Sequence, residues 1–148
     1  MNGSASLYEQ WRRFILRGNQ CFEDGLYLIA ISHYESAKAL SLEMIEAQDE
    51  LHKAVASLLV CHHNLCDLYL VEKEAELACS ELSCVHDKLT GYLQVSDGQP
   101  DYCEVIRQGL RCNYRTMTAF MKRYGNQKWT ADKLLVPNIA NATPQFVN

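Results

Sequence analysis

Residues 18–40 read GNQCFEDGLYLIAISHYESAKAL, and the placement of small and large residues in this stretch decides the fold. Gly18 leaves room for another helix to cross close by, because two helices approach only where the side chains at the crossing are small. Asp24-Gly25 stops the first helix, since glycine takes a left-handed turn conformation without steric penalty. Ala30, Tyr34 and Ala37 then recur at spacings of four and three, the period of one helix face. The stretch predicts a helix, a tight turn and a second helix folded back on the first.

The same slots recur further along the chain. Shifted by 48, they hold Cys66, Ala78, Leu82 and Val85, with Tyr69 following Cys66 on the first helix of the second pair. Lys73 stands where the first pair has Gly25. Residues 18–40 closely resemble a tetratricopeptide repeat, and Asn64-Leu65-Cys66-Asp67-Leu68-Tyr69 looks like the start of many such repeats. The departures are visible too. The family period is roughly 34 residues, so helix two is expected to be about four turns longer than usual. Leu42 replaces the proline that normally ends the second helix, and Phe14 stands in the tryptophan slot. One hairpin cannot bury its apolar face alone, so neighbours stack. The resemblance implies an all-α fold, a short α-solenoid of two stacked helical hairpins with a capping fifth helix. Its packing residues would be Gly18, Gly25, Ala30, Tyr34, Ala37, Cys66, Tyr69, Ala78 and Leu82.

Five helices are expected along the chain. The first opens at a capping box, Ser6-x-x-Glu9, and is striped by Tyr8, Trp11, Ile15, Gly18 and Phe22. The second starts near Tyr27. No glycine or proline interrupts residues 26–90, so the break before helix three is placed near Gln48-Asp49, with Asp49 as cap. Helix three carries Leu51, Val55, Leu58, Leu65 and Tyr69; a turn at Val71-Glu72-Lys73 leads to helix four. Ser96-Asp97-Gly98-Gln99-Pro100 is a loop. Helix five opens with a second capping box, Asp101-x-x-Glu104, and its stripe of Ile106, Leu110, Met117 and Phe120 runs to Gly125. Residues 1–125 form the helical domain, and residues 126–148, with two prolines, read as an extended tail.

Composition sets the class. The chain has 148 residues, 48% hydrophobic and 22% charged, enough for one domain with a sizeable core. No run approaches the roughly 18 consecutive apolar residues of a membrane span, and MNGSASLYEQWRRF lacks the apolar core of a secretory signal. Seven cysteines, an odd number, point away from a disulfide scaffold and towards reduced thiols in the cytoplasm. Net charge is -4, yet residues 25–99 hold 12 acids against 4 bases, while residues 100–148 hold 3 against 7. An acidic chain of this kind argues against nucleic acid as a partner.

Cys61-His62-His63-Asn64-Leu65-Cys66, with Cys79 and Cys84 on the next helix, is the one cluster that invites metal. Helix geometry opposes it, because residues five apart lie about 140° apart around the axis. No metal or other cofactor is therefore expected. Neither a phosphate-cradling glycine loop nor a nucleophile or zinc-protease motif is present. The expected function is non-catalytic: binding of a peptide or partner protein in the concave groove of the repeats. A secretion-type chaperone of the same repeat family is one alternative, and a Cys/His metal-dependent or thiol enzyme another.

The resemblance also implies a ligand site. Members of the family that capture a C-terminal carboxylate hold it with asparagine, lysine and arginine on successive groove-facing helices. Asn19 and Asn64 match the asparagine positions of that clamp. Arg107 and Arg111 are candidate cations, while Ile15 stands where the clamp has lysine, leaving Arg12 nearby. Phe22, His63 and Asp67 would line the same groove. The expected partner is an acidic or C-terminal peptide, and the apolar tail could also join two copies of the chain.

Overall fold

The computed structural model describes residues 5–95 and 98–134, and among them there are helices and no strand. In chain order these are α1 (Leu7–Glu23), α2 (Tyr27–Ala47), α3 (Leu51–Val71), α4 (Ala75–Gln94), α5 (Pro100–Tyr124) and α6 (Lys128–Leu134). The chain is all-α, and it divides into two compact units, Met1–Leu68 and Tyr69–Asn148.

In the first unit α1 and α2 form the hairpin that residues 18–40 predict. Ser6 caps α1, its Oγ accepting the Glu9 backbone N–H at 3.1 Å. At the far end Gly25 has φ +76, and the Leu26 N–H donates to the Cys21 carbonyl at 2.8 Å. The close approach falls at Gly18, where an added Cβ would lie 2.6 Å from Tyr34 Cε1. Ala30, Tyr34 and Ala37 line the buried face of α2. α3 contributes Ala54, Val55, Leu58, Cys61 and Leu65 to the interior.

The helix boundary with least signal in the sequence is a three-residue turn. Gln48 ends α2 in the left-handed conformation (φ 54), and Glu50 repeats it (φ 48) immediately before α3. Such residues replace glycine here at a cost of roughly 1–2 kcal/mol each.

The turn after α3 copies the turn after α1. Lys73 has φ 61, its N–H donates to the Leu70 carbonyl at 3.1 Å, and the Glu74 N–H donates to that of Tyr69 at 2.7 Å. Every one of these residues lies 48 positions after its counterpart: Gly25 donates to Phe22 at 3.1 Å and Leu26 to Cys21. The next helix also starts in register, at Tyr27 and at Ala75. The 48-residue recurrence is thus a repeat of backbone geometry as well as of side chains.

The second unit packs α4, α5 and α6 around Ala78, Cys79, Leu82, Ile106, Leu110 and Met117. Two expectations change here. α5 starts at Pro100 with Gln99 as N-cap and no side-chain capping bond, so the Asp101-x-x-Glu104 box does not form. Glu104 instead turns along α5 to Arg111, at 2.8 Å. The segment after Gly125 is also not extended throughout, since Lys128–Leu134 is helical, with Leu134 and Thr130 buried. The Thr130 hydroxyl donates to the Tyr124 carbonyl at 2.6 Å and ties α6 to the end of α5. Leu135, Val136 and the rest of the tail lie outside the described residues.

α3 is long and apolar enough to cross a membrane by length and composition, with a mean hydropathy of 1.4. Its buried residues form an interior face, and 56% of that window is buried inside the protein. A core helix has the same composition for a different reason.

Candidate functional site

The first unit brings two of the predicted site residues together. Asn64 Nδ2 on α3 donates to Asn19 Oδ1 on α1, at 3.4 Å across the helix pair. The same oxygen accepts the Tyr34 hydroxyl at 2.7 Å. Two donors on one oxygen orient the Asn19 amide. Asn19 is exposed and Asn64 half-buried, so the amide pair lies at the surface while the phenol beneath it is buried. Burial, with the Asp67 carboxylate second, pushes the Tyr34 phenol up to about 12. It therefore stays a donor over the whole physiological range.

His63 and Asp67 lie one turn apart on α3 beside this pair. Desolvation raises the Asp67 carboxyl above the ordinary range, and the charge of His63 pulls it back. Phe22 is half-buried and meets Tyr27 edge-on at 5.8 Å. Arg12 is exposed on α1, two turns before Asn19. Ile15, by contrast, is 7% exposed; its side chain belongs to the interior of the unit and does not line an open surface.

The second unit holds the other two cations. Arg107 is exposed on α5, and Arg111 is paired with Glu104 on the same helix. The hydrogen bond from Arg111 holds the Glu104 carboxyl below its usual range. Of the repeat-packing residues, Ala78 and Leu82 are fully buried, Cys66 is nearly so, and Tyr69 is half-buried.

The cysteine and histidine cluster has a different use. Cys61 is buried, and its Sγ accepts the Trp11 indole N–H at 3.2 Å; Ser41 Oγ lies 3.8 Å away. One sulfur thereby joins α1, α2 and α3. Burial pushes its thiol up, and burial pushes that of Cys79 up to about 11, the opposite of what an activated nucleophile needs. Among the described residues no three His, Cys, Asp or Glu side chains are placed to share a metal ion.

Sequence reading missed four polar residues in the core, Ser41, Ser57, Asn113 and Thr130. Ser41 and Asn113 fall on the buried faces of α2 and α5. Asn113 Nδ2 donates to the Leu82 carbonyl at 3.1 Å and approaches Met117 Sδ at 3.2 Å. The signal existed: the stripe Ile106, Leu110, Met117, Phe120 skips a helical position, and that position is 113.

Residues 9–141 match the family described as "Protein of unknown function (DUF2753)". The chain belongs to the DUF2753 family. That match spans both units of this DUF2753 chain and continues beyond α6. No curated protein and no solved structure matches it.

Proposed function

We propose that this DUF2753 chain is a non-catalytic binding module of tetratricopeptide type, which holds a peptide or partner protein across the face formed by α1 and α3. The observation that carries this reading is the Asn19–Asn64 pair. Surface asparagines locked by a buried phenol present fixed amide donors, and an extended peptide offers carbonyls and a terminal carboxylate as acceptors. Arg12, His63 and Asp67 give that face mixed charge, while Phe22 adds an aromatic edge. The repeated turn geometry at Gly25 and Lys73 supports the tetratricopeptide-like part of the reading. An acidic or C-terminal peptide suits the exposed Arg12, and a cytoplasmic setting suits seven cysteines outside any disulfide.

The test starts from a partner captured from native cells on the immobilised full chain. Its binding segment is then titrated against wild type, Asn19→Ala and Asn64→Ala. Each substitution should weaken binding by about 1–3 kcal/mol, the cost of an unmade hydrogen bond to a desolvated acceptor, without lowering Tm by more than a few degrees. Wild-type affinity in both variants sinks the reading.

A further inference from the structure

A cleft of about 240 Å³ opens at the other end of the first unit, where the start of α1, the end of α2 and the α2–α3 turn meet. Its walls include Met44, Ala47 and the Tyr8 ring; its rim carries Asp49, Glu50 and Lys53. Tyr8 stacks on Trp11 at 5.3 Å, which fixes the ring from behind. Its other attraction is for a cation: Lys53 Nζ stands 4.3 Å from the ring centroid and 3.3 Å from Glu50 Oε1.

Size and charge narrow the ligand. The volume falls below the roughly 300–1,000 Å³ of sites for drug-sized molecules. Two carboxylates against one ammonium leave the rim net negative, which disfavours phosphates and acids. Asp49 has no ion-pair partner among the described residues, and left-handed residues on both sides of it, Gln48 and Glu50, set its place in the turn. A metal ion finds too few oxygens and too much hydrocarbon. A cation with an apolar stem satisfies walls and rim together.

We propose that this cleft binds a primary alkylammonium group, its stem against Met44 and Ala47 and its charge between the Tyr8 ring and the Asp49 and Glu50 carboxylates. Lys53 is a tethered version of that ligand. Its side chain is 44% exposed and that of its partner Glu50 63%, so the internal pair is weak and exchangeable. The ammonium arrives either on a free diamine or on a lysine side chain of another protein, and the chemistry is the same in both.

Calorimetric titration of the full chain separates those sources, with 1,5-diaminopentane in one arm and a short single-lysine peptide in the other. The indole N–H resonance of Trp11, behind Tyr8, locates the event. At least one arm should saturate and shift that resonance, whereas 1-pentanol and glutarate should do neither. Asp49→Asn/Glu50→Gln should weaken binding about fivefold or more, and Lys53→Met should tighten it a few-fold by removing the internal rival. Both changes lie on exposed side chains and leave the interior intact. Absence of saturation in both arms overturns the proposal. So does unchanged affinity in the carboxylate double variant, or equal binding of 1-pentanol. None of these results bears on the Asn19–Asn64 face.

Discussion

Gly18 and Tyr34 act as one unit. A methyl group on residue 18 would press on the Tyr34 ring at 2.6 Å, and that ring cannot easily swing away, because its hydroxyl is bound to Asn19. Alanine gains about 1 kcal/mol over glycine in a helix interior, while overpacking costs about 1–3 kcal/mol. Gly18→Ala should therefore lower stability despite its better helix propensity. The second repeat suggests the rescue, since its corresponding slots hold Cys66 and Leu82, a larger residue matched by a smaller one. Gly18→Cys/Tyr34→Leu should recover much of the packing loss but not the Asn19 hydrogen bond. Denaturant unfolding of the single and double variants measures both effects. A Gly18→Ala chain as stable as wild type would place the crossing elsewhere.

At the scale of elements, the turns carry the clearest prediction. Gly25 and Lys73 occupy the same left-handed position with the same hydrogen bonds, yet only glycine adopts it without strain. Lys73→Gly should stabilise the chain by about 0.5–1 kcal/mol, the relieved strain less the extra freedom of glycine in the unfolded state. Gly25→Ala should cost about 1 kcal/mol. A Lys73→Gly variant less stable than wild type in thermal unfolding would mean that the lysine side chain makes up for its strain. This pair also shows what was legible in the sequence. The 48-residue period, the Gly25 stop and the Ser6 cap are local signals, and each appears where expected. The Asp101 box failed because Pro100 already serves as a first-turn residue and moves the cap to Gln99. α6 went unread because seven residues are too few to show a period; it is held by Thr130 on Tyr124 and by Leu134 in the interior. The Asn19–Asn64 pair was legible only through a family resemblance. The cleft by the α2–α3 turn was not legible, because its walls come from three separate segments.

For the whole molecule, the seven cysteines give an overall readout of packing. None is in a disulfide: Cys61, Cys66 and Cys79 are buried, Cys21, Cys103 and Cys112 half-buried, and Cys84 exposed. Only the thiolate attacks a disulfide reagent, so access and pKa act together. Burial lifts Cys79 to about 11 and raises Cys61 above its ordinary value. A thiol whose folded pKa is raised gives up its proton more readily once unfolded. These two thiols therefore add stability that is complete below the unfolded pKa of about 8.5 and is lost as pH climbs through the folded values. Titration of the native chain with an aromatic disulfide reagent at mildly alkaline pH should show Cys84 reacting first and the three half-buried thiols more slowly. Cys61, Cys66 and Cys79 should stay protected until denaturant is added. Mass mapping of the labelled sites identifies each step. Rapid native labelling of Cys61 would contradict its place under the Trp11 indole, and with it the junction of α1, α2 and α3 on one sulfur. Protection of the three buried thiols, with Cys84 open, would mean that both units keep closed interiors in solution.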